Sequence, residues 1–264
     1  MTKILFVADV FGKPGRNVLS AILPTFIAKN GVDFCIANGE NAAAGKGLTP
    51  EIASLFFQSG VDVITGGNHL WDKKEVFQLL GNDQRVIRPA NYPPGVPGPG
   101  AGVFTARNKK PVGVMNLLGR TFIREVDCPF RVALSTLEFF RDKTQTIVID
   151  FHGEATSEKT ALGWFLDGKV SAVIGTHTHV QTADERILPN GTAYITDAGM
   201  TGPFDSVIGV KKEMAIRRFL TQLPERFEPA TDDLRLNAVF ISVDGVSGKS
   251  TAIERIEIKL DDEY

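Results

Sequence analysis

The chain has 264 residues, 43% hydrophobic and 23% charged, which is ordinary globular usage and long enough to bury a core without disulfide or metal staples. A net charge of −2 and a pI near 6.1 exclude the basic face of a general nucleic-acid or membrane-surface binder. Cys35 and Cys128 form no metal-spaced or redox pair, and Cys35 sits in an apolar run as a small buried hydrophobe.

In chain order, short β-branched apolar runs alternate with helical periodicity. The pattern predicts a strand at 4–9, a helix at 16–29, a strand at 34–38, a helix at 50–58, a strand at 61–65 and a helix at 73–80. Strands follow at 103–106 and 112–117, then a helix at 132–142, a strand at 146–151, a helix at 157–166 and strands at 172–175 and 193–197. A helix at 211–220 and strands at 238–243 and 251–259 complete the series. Thr49-Pro50-Glu51 has the order of a helix start, with Thr as the cap, Pro in the first turn and Glu near the positive helix end. The early strands are continuous apolar runs followed by helices, as in buried parallel sheets. The last two alternate and form an antiparallel hairpin turning at Asp244-Gly245 through Gly248. The class expected is α/β in one domain spanning 1–264. The Pro/Gly-dense stretch 91–102 is expected to be an irregular surface loop, and 260–264 a frayed tail. No apolar run is long enough for a membrane span. The apolar opening, 3–8, is too short for a signal peptide, so a cytoplasmic location is expected.

Four histidines, His69, His152, His177 and His179, each follow an apolar strand-like run directly. Two other such runs end in Asp9 and in Gly39-Glu40-Asn41. A lone histidine is more often a hydrogen-bonded structural residue than a ligand. Five strand ends carrying Asp, Glu, Asn and His toward one sheet edge point instead to a site, because ligands of α/β sheets bind beyond the carboxyl ends of strands. Mixed imidazole, carboxylate and amide donors suit Mn, Fe or Zn; a thiolate site is excluded by the cysteine positions. Asp9, Glu40, Asn41, Asn68, His152, His177 and His179 exceed the four ligands of one tetrahedral zinc. Two ions sharing a carboxylate is the economical arrangement, as in phosphatases and nucleases.

The succession Asp-x-x-Gly, Gly-Glu-Asn, Gly-Gly-Asn-His, His-Gly-Glu and Gly-Thr-His-Thr-His is similar to the five blocks of calcineurin-like metallophosphoesterases. More closely, the chain resembles their YmdB-like subgroup of bacterial phosphodiesterases. The stretches that carry the resemblance are 8–16, 38–47, 65–69, 88–93 and 197–203. The resemblance implies a four-layer α/β/β/α sandwich with mixed sheets and a dinuclear centre. It implies Asp9, Glu40, Asn41 and His179 on one ion, and Glu40, Asn68, His152 and His177 on the other, Glu40 bridging. His69 is the implied proton donor, iron or manganese the implied metal, and cyclic nucleotides of the cyclic AMP type the implied substrates. Two departures from the wider superfamily are consistent with the subgroup: Phe11 stands where most members have a histidine ligand, which leaves Asn41 as its replacement, and Glu40 stands where an Asp usually bridges.

The chemistry gives each group a task. Two cations neutralise phosphoryl oxygens and generate hydroxide near neutral pH, while His69 protonates the departing oxygen. Gly12-Lys13-Pro14-Gly15 and Gly45-Lys46-Gly47 lack the Lys-Ser/Thr ending of a P-loop and are expected as tight loops beside the site. Arg120 and Arg124 are expected on the solvated surface, and no serine has nucleophile-elbow flanks. The expected partner is a small phosphodiester, without general nucleic-acid or membrane binding, in a chain that forms homo-oligomers if it follows the common case. The alternatives are a phosphomonoesterase or nuclease on the same site, and a regulatory protein that acts through partners.

Overall fold

The computed structural model describes residues 1–261; of the expected tail, 262–264 lie outside the described residues. The first sheet contains β1 (Thr2–Val7), β3 (Phe34–Asn38), β4 (Val63–Thr65) and β5 (Val86–Ile87), which run parallel in that order. On the other side of β1 lies β13 (Leu234–Val243), antiparallel to it and to its hairpin partner β14 (Ser250–Lys259). Two short strands, β2 (Asp9–Val10) and β12 (Met200–Pro203), pair with one another and join the sheet at the start of β13. The second sheet has the order β10 (Arg186–Ile187), β11 (Ala193–Ile195), β9 (Ala172–Thr176), β8 (Ile147–His152), β7 (Pro111–Leu118), β6 (Ala101–Thr105). Its four central strands are parallel and its two edge strands antiparallel.

Period-two alternation divides the strand residues among three cores. Leu5 and Val7 of β1 face α1 (Gly12–Asn30), α2 (Pro50–Gln58) and α3 (Val76–Asn82) through Leu19, Leu23, Phe56 and Leu80. Ile4 and Phe6, from the same strand, join Phe34, Ile36, Val114, Val148 and Ile174 between the two sheets. Met115, Leu117, Ile149 and Phe151 turn the opposite way, toward Phe140 of α4 (Pro129–Phe140) and Leu162 and Leu166 of α5 (Thr156–Leu166). Three cores separate four layers, so the chain is an α/β/β/α sandwich with mixed sheets. Strands buried on both faces explain the continuous apolar runs. α6 (Lys212–Thr221) belongs to an excursion between β12 and β13 and buries only Ala215.

Several local expectations change. Gly12-Lys13-Pro14-Gly15 is the first turn of α1 and not a loop. Pro14 is tolerated there because first-turn N–H groups have no helical partner, and a Cβ on Gly15 would lie 2.3 Å from the Thr201 carbonyl oxygen. The Pro/Gly stretch is irregular only as far as Gly100, since Ala101 and Gly102 pair with Met115 and Val114 in β6. α4 starts at Pro129, before the expected 132, with Pro in the first turn. The strands β5, β10 and β12 span two to four residues, too few to show a period. The Thr49 cap is present, its hydroxyl accepting from Ile52 N at 3.4 Å.

Candidate active site

Five strand ends deliver the candidate donors, but they belong to both sheets. Asp9 opens β2, Glu40 and Asn41 follow β3, and Asn68 and His69 follow β4, all in the first sheet; His152 ends β8, and His177 and His179 follow β9 in the second. The site therefore spans the carboxyl edge of the sandwich. All seven expected ligand residues are buried or half-buried, with Asp9 and His152 at 0% exposure.

Second partners set the tautomer of His152 and His179. Thr176 donates its hydroxyl proton to Asp150 Oδ1 at 2.7 Å, so it can only accept from His152 Nδ1 at 2.9 Å. Nδ1 of His152 then carries the proton, and Nε2 presents a lone pair. Around that nitrogen stand Glu40 Oε1 at 3.0 Å, His177 Nδ1 at 3.0 Å and Asn68 Oδ1 at 3.2 Å. His177 turns Nδ1 inward, 3.0 Å from His152 Nε2, and Nε2 outward to within 3.1 Å of the Glu154 carboxylate, without hydrogen-bond alignment. His179 Nδ1 donates to the Ile208 carbonyl at 3.0 Å, leaving Nε2 3.5 Å from Asp9 Oδ2. A remote hydrogen bond that aims the other ring nitrogen is the usual support of a metal-binding histidine.

The oxygens agree with this. Asp9 Oδ1, Glu40 Oε1 and Asn41 Oδ1 are buried with no hydrogen-bond partner among the described residues; Glu40 Oε1 is near His152 but lacks hydrogen-bond alignment. The Asn41 amide nitrogen donates to the Gly45 carbonyl at 3.0 Å, which turns its oxygen the other way. Each orphaned buried acceptor costs about 1–3 kcal/mol. Buried acceptors without donors fit cations, although Asp9 and His179 do not join the tight group that Glu40, His152 and His177 form. Glu40, His152 and His177 bring one ligand atom each within 4.8 Å of one another.

Electrostatics point the same way. Burial alone would raise Glu40, but the His152 imidazole and the His69 N–H at 2.9 Å hold it at about 2. Burial disfavours the His152 cation, yet the charges of Glu40 and Asp9 outweigh it and push His152 up to about 9. The same negative field attracts a metal cation to the same lone pair. Burial, with His152 alongside, lowers His177 to about 3 and keeps its ring neutral. Burial also raises Asp9 well above the usual carboxylate range and lowers His179, so these two are not a charged pair on their own.

Two of the donor histidines sit on strained backbone. His177 and His179 have φ of 103° and 63°, left-handed values that cost a non-glycine residue about 1–3 kcal/mol each. Asp197 holds the loop in this shape, accepting from Thr178 N at 3.0 Å and Thr178 Oγ1 at 2.8 Å. Its charge is balanced by buried Lys159 at 2.7 Å. His177 N also donates to Asp9 Oδ2 at 2.9 Å, which ties the two sheets together at the centre. A Cβ at Gly67 would stand 2.2 Å from Glu40 Oε2 and 2.6 Å from His152 Nε2; only glycine admits the donors so close.

His69 differs from the other three. It is half-buried, its Nδ1 lies 3.1 Å from Asp72 Oδ2, and its ring lines a cavity of about 610 Å³. That cavity is also lined by Glu40, Asn41, His177 and His179, and by Lys46, Glu154, Phe11 and Phe227. Of the two glycine-flanked lysines, Lys46 reaches the cavity lining and Lys13 does not. Phe11 meets His179 edge-on with centroids 5.7 Å apart and is 5% exposed. Arg120 and Arg124 are exposed, as expected. The supporting groups Thr176, Asp150, Asp197, Lys159, Glu154 and Asp72 were not singled out from sequence. Glu154 carried a signal in His-Gly-Glu; Lys159 and Asp150 carried none, being one helix residue and one strand residue among many.

Among the described residues, no helix is long and apolar enough to cross a membrane. Residues 5–256 match the model of a family described as YmdB-like protein. The chain is 51% identical over 259 residues to the 2',3'-cyclic-nucleotide 2'-phosphodiesterase of Bacillus subtilis, with 98% of each chain covered. It is similar to the crystal structure of a hypothetical protein from Thermus thermophilus, with a TM-score of 0.92, 41% identity and 98% and 99% of the two chains covered. It is also similar to the crystal structure of a novel phosphatase from Mycoplasma pneumoniae, with a TM-score of 0.91, 39% identity and 98% and 93% covered.

Proposed function

The chain belongs to the YmdB-like protein family, and from that premise we propose that it is a metal-dependent phosphodiesterase that opens nucleoside 2',3'-cyclic phosphates at the 2' oxygen. The observation that carries this is a pair of buried histidines, His152 and His179, fixed in tautomer by Thr176 and Ile208 and turned toward Glu40 and Asp9, beside buried oxygens of Asp9, Glu40 and Asn41 that lack a hydrogen-bond partner among the described residues. The Bacillus relative supports the 2',3'-cyclic class, in preference to the cyclic AMP type expected from the resemblance alone.

Glu40, Asn68, His152 and His177 would hold one ion and Asp9, Glu40, Asn41 and His179 the other, within one domain that draws donors from both sheets. When bound, iron or manganese ions would supply positive charge to the phosphoryl oxygens and an activated water. His69 is the general acid. Its Nδ1 is held by Asp72, which aims the other nitrogen into the cavity to give a proton to the 2' oxygen as the P–O bond breaks. Addition of water then leaves a 3'-phosphate. Thr176 and Ile208 keep two rings in the tautomer the ions need, and the Glu154 carboxylate faces the outer nitrogen of His177. Lys46, on the cavity lining, faces the anionic substrate.

The test is hydrolysis by purified protein of 2',3'-cyclic AMP, 3',5'-cyclic AMP, bis-p-nitrophenyl phosphate and p-nitrophenyl phosphate, with added Mn²⁺ and with EDTA. Diesters should exceed the monoester, the 2',3' isomer should exceed the 3',5', and EDTA should abolish turnover. Preference for the monoester would transfer the site to phosphatase chemistry. Full activity in EDTA would remove the metals from the mechanism.

A further inference from the structure

We infer that the apolar part of the cavity lining, Phe227 with Ile208 and Val210, is the seat of the substrate's nucleobase. This rests on the phosphodiesterase reading and adds to it what the enzyme holds beyond the phosphate. The cavity has two chemically different parts: His and carboxylate groups on one side, and Phe11, Ile208, Val210, Phe227 and Pro229 on the other. They adjoin directly, because the Ile208 carbonyl is the group that accepts from His179 Nδ1.

The segment 225–229 is built to present this wall. Val210 bridges both Val207 and Pro229, and Lys211 N donates to the Glu228 carbonyl at 3.0 Å and Ala230 N to the Gly209 carbonyl at 2.9 Å. Extended backbone alternates its side chains. Glu225, Phe227 and Pro229 accordingly line the cavity, while Glu228 turns out to pair with Lys211 at 2.6 Å. Phe227 and Ile208 remain 41% and 54% exposed. Neither belongs to a core cluster. An aromatic face left open beside a phosphoryl site suits a base, since every base offers a π-face for stacking. The carboxylate of Glu225 at the edge of this wall lies 3.6 Å from Arg217, and what the wall itself offers a base is an apolar and aromatic face for stacking. The larger π-face of a purine should therefore bind better than a pyrimidine.

The experiment is calorimetric binding to the Mn²⁺-loaded protein of 3'-AMP, 3'-CMP and methyl riboside 3-phosphate, which has the sugar phosphate without the base. 3'-AMP should bind about tenfold more tightly than the baseless analogue, with 3'-CMP between them. Phe227→Ala should bring that ratio close to one, and Phe227→Trp should restore it. Equal binding of 3'-AMP and the baseless compound by the parent, or an undiminished ratio in Phe227→Ala, overturns the inference. Hydrolysis of 2',3'-cyclic AMP is followed separately: base preference without hydrolysis keeps this inference and removes the proposed activity, whereas hydrolysis without base preference does the reverse.

Discussion

His152 and His69 both follow apolar strands, yet the structure treats them differently. His152 is fully buried, one nitrogen held by the Thr176–Asp150 relay and the other surrounded by Glu40, Asn68 and His177. His69 is half-buried, with one nitrogen held by exposed Asp72 and its ring on a cavity wall. The inner nitrogen of His152, buried among acceptors, suits a positive partner: a proton or, on the proposed reading, a metal ion. A ring that borders an open cavity can meet a substrate. The same residue type at equivalent strand ends thus meets opposite surroundings, and the proposed function gives the two rings different tasks accordingly.

The largest effect should come from the carboxylate shared by both tasks. Glu40 faces His152 with one oxygen and accepts from His69 N with the other, so Glu40→Ala should lose bound metal and all measurable turnover. Metal analysis of that variant showing parent-like content would break the comparison at its centre. Next, His69→Ala should retain the parent's metal content and lose roughly 10²–10⁴-fold in turnover of 2',3'-cyclic nucleotides. Bis-p-nitrophenyl phosphate should suffer less, since p-nitrophenolate leaves without a proton. Equal losses on the two substrates would make His69 a charge stabiliser or a ligand.

Thr176→Val tests the relay behind His152. Without the hydroxyl, nothing selects the Nδ1–H tautomer, and metal affinity should fall about 10–100-fold while turnover at saturating metal recovers much of its value. A titration with Mn²⁺ separates the two effects; unchanged affinity would mean that burial alone orients the ring. The smallest effect is expected for Asp72→Asn. The amide still bonds to the His69 ring in this exposed setting, so metal content should stay the same and cyclic nucleotide turnover should fall by only a few fold. A loss as large as that of His69→Ala would give Asp72 a larger part than orientation.

The candidate donors were legible because a strand end is visible in sequence: an apolar run stops and Asp, Glu, Asn or His follows. Chain order also made the early parallel sheet and the final hairpin legible. The first turn of α1 was not, because Gly-Lys-Pro-Gly has loop composition and its helical form is set by packing against Thr201. The pairing of Lys159 with Asp197 was not, because a buried ion pair between a helix and a loop 38 residues apart leaves no local pattern. The apolar cavity wall was not, because Ile208, Val210 and Phe227 come from a segment without strong periodicity.

By itself the sequence determined which residues end the strands, and hence the kinds of donor available, because burial on both faces demands apolar runs and polar groups must come after them. It also carried the family resemblance that the comparisons bear out. Only the tertiary structure decided that two sheets share one site, which nitrogen of each histidine faces inward, and which oxygens have no partner. Those properties depend on groups far apart in the chain, such as Thr176 beside Asp150, Ile208 beside His179 and Asp9 beside the His177 amide. Hydrogen bonding and desolvation act across space, so they exist only once the layers have closed.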